Sequence, residues 1–502
     1  MKGVLPVLLV LARLAGLAGL LLIVPLMIAI SSGPGDSREL SAYAIPLGVS
    51  ILLYLASRLF GRGISPQLRS PAQGFQCVVL GWLLFATIGA LPYWISGVLP
   101  TFADAWFEAM SGFTTTGATV FQSVEAVPPA LLLWRAMTQF IGGLGIIALF
   151  VAILPALGAG GVVLFRSEVT SSILEDRLRP RVVETARVLW RIYVVLTAAH
   201  LLALWLCDVP FFDAVCHSMT TVSTGGFSTR DLSLAAFSSE AQWVTIVFMF
   251  LGGTSFLLHG RALQSGIGSY VKSDEFRLYV GILLVAVLTL TVLLMSTAAP
   301  MIGTGEPSLD PATHDEGTFS VAVRDAAFQA TAIMTSTGYA QTDYNRWPDA
   351  ARFMMILLMF VGGCAGSTSG GAKVFRFLLV YRTIARQTKM ILSPSRVITV
   401  RYDGAAVPGD VLLAVSSIVL LFVLIALGGS LFLMFLNVPF EEALSGTVAC
   451  VLCIGPALGD VGPAGNYSAM PAAAKIFLSV LMLMGRLELY AVLVLIARSR
   501  RP

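Results

Sequence analysis

Ten stretches of this chain are apolar for about twenty residues each, and that excludes most folds before any motif is considered. A helix of that length crosses the ~30 Å hydrocarbon core of a bilayer. Lipid offers no hydrogen bonds to a backbone, so only helices or closed barrels survive there. The stretches lie near 4–30, 43–60, 74–96, 131–157, 187–207, 241–262, 276–299, 349–372, 410–436 and 474–497. Charged residues make up 12% of the 502, against about 25% in soluble domains. The sequence predicts an all-α polytopic membrane protein. The first run is too long for a signal-peptide core and lacks a small-residue cleavage site, so it is read as a spanning helix. Net charge is only +4, and no nucleic-acid partner is expected.

Between the long runs lie shorter apolar stretches that cannot span. They begin at Asp104, Asp213, Asp325 and Glu441 or Glu442, run about three turns, and meet a small-residue loop. An acid at a helix start complements the positive end of the dipole. The loops are Phe113-Thr114-Thr115-Thr116-Gly117-Ala118-Thr119, Val222-Ser223-Thr224-Gly225-Gly226-Phe227, Thr335-Ser336-Thr337-Gly338-Tyr339-Ala340, and a degenerate Cys453-Ile454-Gly455-Pro456-Ala457. Gly117, Gly225, Gly338 and Gly455 are 108, 113 and 117 residues apart, a period that marks repeated units. The predicted division is a leading helix pair at 1–70 and four pore repeats at 71–165, 166–274, 275–401 and 402–502. Each repeat reads helix, half-helix, loop, helix.

Basic residues collect on one side. They include Arg58, Arg62 and Arg69, then Arg166, Arg177, Arg179, Arg181, Arg187 and Arg191, then Arg261, Lys272 and Arg277. Lys373, Arg376, Arg382, Arg386, Lys389, Arg396 and Arg401 follow, and Arg498, Arg500 and Arg501 close the chain. Positive charge marks the cytoplasmic side. The opposite side carries Asp36, Glu39, Glu306, Asp310, Asp315 and Glu316, and the half-helices dip in from it.

Four such loops meeting on one axis could replace the water shell of a cation, as rings of backbone carbonyls do in potassium channels. Glycine permits the backbone turns this needs, and Thr and Ser add hydroxyl oxygens. The half-helices aim their negative C-terminal ends at the axis. Non-helical backbone at membrane depth is tolerated where it is buried or lines a watery cavity. The predicted ligands of the transported potassium ion are Thr114, Thr115, Thr116 and Gly117; Val222, Ser223, Thr224 and Gly225; Thr335, Ser336, Thr337 and Gly338; and Leu452, Cys453, Ile454 and Gly455. Hydroxyl residues are missing from the fourth loop, so the ring is expected to be asymmetric and less selective than a four-fold one.

These loops, with Gln139-Phe140-Ile141-Gly142-Gly143-Leu144-Gly145-Ile146, the stretch from Gly362 to Lys373, Gly455-Pro456-Ala457-Leu458-Gly459 and Gly485-Arg486-Leu487-Glu488, resemble the Trk/Ktr/HKT superfamily of potassium transporters, most closely its TrkH/KtrB-type subunits. The resemblance covers nearly the whole chain. It implies potassium uptake across a bacterial inner membrane by a multi-pass subunit embedded in lipid. It also implies a homodimer and a TrkA-like cytoplasmic nucleotide-binding ring that regulates gating. No nucleotide-binding motif stands in this chain, as that division of labour requires.

Gly362, Gly363, Gly366, Gly370 and Gly371, with Ser367, Thr368 and Ser369, fall late in a spanning run. Glycine costs about 1 kcal/mol against alanine in a helix, so this stretch should unwind. Close helix packing through small residues is the plainer alternative; the resemblance implies a movable gating loop beneath the filter. Arg486 lies deep in the last run, where a charge needs a cavity or a partner. Glu488 is one such partner; the resemblance instead implies a barrier in the pore. Arg135 and Gln139 are read as lying near a helix entrance, and Lys373 as snorkelling or functional. His200, His217, His259 and His314 show no ligand spacing. The C-x-x-C of Cys450 and Cys453 sits in an apolar helix, unsuited to redox or metal chemistry. Two other classes remain open: a proton- or sodium-coupled symporter, which needs acids on the pathway, and an intramembrane enzyme. The enzyme reading is weak, because the only near-match to an intramembrane aspartyl motif, Ala457-Leu458-Gly459-Asp460, lacks its first glycine.

Overall fold

Apolar runs rich in Leu, Val, Ile and Phe, with their charges gathered mostly toward the ends, produce the long helices. The computed structural model describes residues 5–31, 37–61, 71–153, 178–301, 318–395 and 397–489. Asp36, Glu306, Asp310, Asp315, Glu316, His314, Arg62, Arg69, Arg166, Arg177, Arg396, Arg498, Arg500 and Arg501 fall outside these residues. Helices α1 (Leu5–Leu21) and α2 (Ile23–Ser31) form one span, followed by α3 (Ser37–Phe60), α4 (Pro71–Ile95), α5 (Phe102–Phe113) and α6 (Pro129–Ile153). Then come α7 (Leu178–Leu206), α8 (Phe211–Val222), α9 (Ser239–Gly253), α10 (Phe256–Ser265), α11 (Gly268–Lys272), α12 (Asp274–Met301) and α13 (Thr318–Met334). The rest are α14 (Asp349–Val361), α15 (Val374–Leu392), the hairpin β1 (Arg401–Tyr402) and β2 (Ala405–Ala406), α16 (Gly409–Phe435), α17 (Phe440–Val451) and α18 (Ala472–Arg486). This is an all-α polytopic membrane fold.

By length and composition, six described spans are long and apolar enough to cross a membrane, and seven if one bent pair is counted. Ten were expected, and two of the remainder are interrupted rather than absent. The run 241–262 is not one straight helix: α9 and α10 meet at 93°, broken at Thr254-Ser255 after Gly252-Gly253. The run 349–372 stops at Val361, as its glycines demand. The chain then re-enters a helix, α15, that the sequence reading left as a basic connection. Its polar face hid it from a search for apolar runs.

Three of the four short helices begin with acids as expected; α13 does not, since it starts two turns before Asp325 and is 17 residues long, against 12 for α5, α8 and α17. Each packs against the long helix before it: α4 on α5, α7 on α8, α12 on α13, α16 on α17. Each inner helix also packs against the next short helix: α6 on α8, α9 on α13, α14 on α17, and α18 back on α5. The chain thus closes on itself. Polar clamps mark the seams. Lys475 of α18 pairs with Asp104 of α5 at 2.6 Å, Arg352 of α14 pairs with Glu441 of α17, and Arg324 of α13 donates to Ser239 of α9 at 2.6 Å.

The leading pair packs through small residues, the usual device where lipid supplies no hydrophobic drive. A Cβ at Gly19 would lie 2.5 Å from Ser50 Cβ, and one at Gly16 would lie 2.8 Å from Tyr54 Cβ. Nothing lies within 4 Å of a Cβ at Gly48. Gly19→Ala should therefore destabilise by about 1–3 kcal/mol despite alanine's better helix propensity. Gly48→Ala should not. Thermal unfolding in detergent distinguishes them, and equal effects would contradict close packing of α1 on α3.

Candidate functional site

All four short helices end in the same backbone motif. Thr115, Thr224, Ser336 and Cys453 adopt φ of 51°, 52°, 54° and 55°. Each donates its N–H three residues back, to Gly112, Thr221, Ile333 and Cys450. The next residue in each, Thr116, Gly225, Thr337 and Ile454, donates 2.8 Å to the carbonyl five residues back. This is a Schellman ending, whose left-handed position normally holds glycine. Thr, Ser and Cys there cost of order 1–3 kcal/mol each, and such strain gathers at functional sites.

Glycine follows two residues after each left-handed position, at Gly117 (φ 86°), Gly226 (78°), Gly338 (74°) and Gly455 (98°). These four glycines join the loops into a ring. A Cβ on Gly117 would overlap the Gly225 carbonyl oxygen; one on Gly226, that of Thr337; one on Gly338, that of Ile454; and one on Gly455 would lie 2.6 Å from that of Thr116. Loop one meets two, two meets three, three meets four, and four meets one. The glycines satisfy both a positive φ and a contact with no room for a side chain.

The second loop corrects the sequence reading. Gly226, not Gly225, occupies the place of Gly117, and Gly225 stands where Thr116 does. Val222 is the last residue of α8. Two adjacent glycines concealed the one-residue offset, and Gly226 was missed for that reason.

The ring carbonyls sit on buried residues. Gly225 O accepts from Gln139 Nε2 at 2.6 Å. Among the described residues no donor reaches the carbonyls of Thr116, Thr337 or Ile454. Buried oxygens without donors are rare and call for an explanation. Thr115 Oγ1 is likewise buried without a hydrogen-bond partner. Hydroxyls of loops one and three pair within the loop, Thr114 to Thr116 and Thr335 to Thr337, each at 2.8 Å. Above the ring opens a cavity of about 230 Å³, lined by Gly117, Gly226, Gly338 and Pro456 and flanked by Arg230 and Asp231.

A buried polar network fixes the ring from behind. Glu108 of α5 accepts from Arg135 Nε at 2.8 Å, Val120 N at 3.0 Å and Thr119 Oγ1 at 3.1 Å. Arg135 also donates to Ser228 O at 2.9 Å, and its guanidinium lies 4.1 Å from the Phe227 ring centre. Gln139 accepts from Phe227 N at 3.0 Å while holding Gly225. Arg135 and Gln139 are therefore buried supports of the loops, not entrance residues. Tyr339 reaches back to Thr220 Oγ1 at 2.5 Å, and Tyr467 donates to Gly455 O at 2.8 Å. The roles of Glu108, Tyr339 and Tyr467 escaped notice because a polar side chain in an apolar surrounding reveals its partner only in three dimensions.

The segment from Gly362 to Lys373 lies directly against the short helices' ends. Thr368 Oγ1 donates to Val222 O at 2.9 Å, Gly371 N to Leu452 O at 2.9 Å, and Gly370 N to Ser336 Oγ. Ser367 and Ser369 share a hydrogen bond of 2.8 Å. Gly362, Gly366 and Gly371 have φ of 74°, 71° and 79°, and a Cβ on Gly363 would lie 2.7 Å from Gly253 O. Arg486 donates to Thr368 O at 2.7 Å and Gly142 O at 3.3 Å. It does not pair with Glu488, which binds Arg376 at 2.6 Å. Lys373 is buried and donates to Ser369 O and, at 3.2 Å, Ser369 Oγ, so it does not snorkel.

His217 contacts Asp213 O at 2.8 Å and Ser228 Oγ at 2.9 Å, His200 stacks on Phe248, and His259 contacts Tyr270. Cys450 and Cys453 are buried free thiols. Cys453 stands in the left-handed position of loop four.

Removing Glu108 would strand a buried guanidinium. Glu108→Ala should cost about 3–5 kcal/mol, and Glu108→Gln less, measured by thermal or denaturant unfolding. A loss under about 1 kcal/mol, the value of an exposed pair, would contradict the role assigned to this network.

Residues 57–500 match the family TrkH, described as a cation transport protein. Among curated relatives, the Trk system potassium uptake protein TrkH of Salmonella typhimurium is 35% identical over 492 residues, covering 96% of this chain and 97% of its own. TrkI of Halomonas elongata is 33% identical over 497 residues, covering 98% and 96%. The crystal structure of the potassium transporter TrkH from Vibrio parahaemolyticus superposes with a TM-score of 0.83 at 32% identity, covering 98% of each chain. These relatives are transporters and not enzymes, which sets aside the intramembrane-enzyme alternative. The chain belongs to the TrkH family of cation transport proteins.

Proposed function

We propose that this chain is the ion-conducting subunit of a Trk-type potassium uptake system in a bacterial inner membrane. The observation that carries the reading is the closed ring of four loops, each glycine abutting the next loop's carbonyl. A dehydrated cation needs oxygens from several directions at once, and three of the four ring oxygens, those of Thr116, Thr337 and Ile454, have no donor among the described residues. Four helix C-termini face the same point and favour positive charge. The 1–70 pair and four units at 71–165, 166–274, 275–401 and 402–502 are the corresponding division of the chain. Side chains vary around the ring, with Thr in loops one and three, and Ile and Cys in loop four. Potassium over sodium discrimination should therefore fall below that of a strictly four-fold filter.

The segment Gly362–Gly371 is the gate in this reading, and Arg486 its latch, since the guanidinium holds the loop apex through Thr368 O. Deleting residues 366–370 should raise flux several-fold in liposomes, and Arg486→Gln should raise it less. Unchanged flux in both would remove the gate. A TrkA-like nucleotide-binding ring, a homodimeric state and surrounding lipid belong to the same proposal.

A channel-like mechanism is preferred to symport, because Glu488, the main acid within the predicted spanning runs, is engaged with Arg376. Rubidium uptake into liposomes with potassium as the only gradient should persist. Uptake that stops without a proton or sodium gradient would favour coupling instead.

A further inference from the structure

The two ends of the central loop meet at one buried carboxylate that the reading above does not use. Glu275, the second residue of α12, is 3% exposed. Its Oε1 accepts the Ala365 N–H at 2.7 Å, where the chain enters the loop, and the Phe375 N–H at 3.2 Å, where it leaves. Its Oε2 accepts the Tyr402 hydroxyl at 3.1 Å. Phe375 lies in the first turn of α15, whose N-cap residue Lys373 makes no side-chain cap. Glu275 supplies that cap from another helix, and a carboxylate suits the positive end of the dipole.

Tyr402 belongs to the β1–β2 hairpin, which is fastened to the same place. Its turn, Asp403-Gly404, has φ of 46° and 82°, the primed geometry that closes two-residue hairpins. Asp403 Oδ1 accepts from Asp274 N at 2.8 Å, and Asp403 N donates back to Asp274 Oδ2 at 3.2 Å. Arg382 of α15 donates to Asp274 Oδ2 at 2.8 Å and to Arg401 O. Tyr402, Val400 and Val407 pack with Leu378, Leu379 and Ala365. A displacement of the hairpin therefore acts on Glu275, and through it on both ends of the loop together.

We propose that Glu275 is the positioning residue of the central loop, and that the Arg401–Ala406 hairpin sets the loop's resting place through the Tyr402 hydroxyl. This rests on the gate reading above. Three donors converge on one carboxylate, so removing the hydroxyl weakens the anchor without emptying it. The loop then leaves the short helices' ends more often, and ions pass more often. The ring is untouched, so selectivity stays as it was.

The test uses the full chain in liposomes, with the 366–370 deletion as reference. Tyr402→Phe should raise rubidium flux about 2- to 10-fold, the factor a single net hydrogen bond represents. Glu275→Gln, which loses the charge and one acceptor, should raise it further. Neither should change the potassium-to-sodium permeability ratio. Wild-type flux in Tyr402→Phe, beside raised flux in the deletion, would overturn the proposal and leave the gate standing. Wild-type flux in all three would remove gate and proposal together. A lowered melting temperature with unchanged flux would make Glu275 a stabilising residue only. Should Glu275→Gln fail to fold, Tyr402→Phe decides alone, since it removes a single hydroxyl.

Discussion

Everything in this molecule turns on a backbone contact too close for a side chain. Gly117, Gly226, Gly338 and Gly455 each press against a carbonyl of the next loop, and the sequence of contacts returns to its start. No helix pair could achieve this alone. Four short helices must end at one depth, in one motif, at one radius. The inner helices achieve this by packing each against the following short helix, with α18 completing the circle on α5.

Such an arrangement is costly to hold. Four non-glycine residues take the left-handed region, and several buried carbonyls go without donors among the described residues. Strained and unpaired groups persist only where their surroundings over-determine them. Here the surroundings are the Glu108–Arg135 pair, Gln139, Tyr339 and Tyr467, each of which grips a loop from behind. The same logic recurs below the ring. The central loop is fixed by hydrogen bonds that Thr368, Arg486 and Lys373 donate and by those that its backbone donates to Glu275. Polar contacts of this kind can be exchanged one at a time, which apolar packing cannot.

Much of this was legible beforehand, and the reasons are specific. Apolar runs gave the spans because lipid imposes a length. Acid-headed short helices followed by glycine gave the four loops, because both signals are local. The break after Val361 was legible because glycine and serine are poor helix formers. What failed was whatever depended on neighbours. The Gly225-Gly226 pair hid its register, since either glycine satisfies the local pattern and only the adjoining Thr337 carbonyl distinguishes them. Helix α15 is amphipathic and basic, so hydropathy missed it. The 93° bend at Thr254-Ser255 comes from contacts, Cys364 N to Gly253 O and Phe256 N to Gly366 O, that no window could reveal. Asp403-Gly404, by contrast, was a readable hairpin signal that was overlooked.

The central claim is that ring oxygens take the place of a cation's water. Anomalous diffraction from crystals grown in rubidium tests it most directly. The account predicts a peak on the axis between the carbonyls of Thr116, Gly225, Thr337 and Ile454. Rubidium bound elsewhere along a continuous passage, with no peak inside the ring, would contradict it.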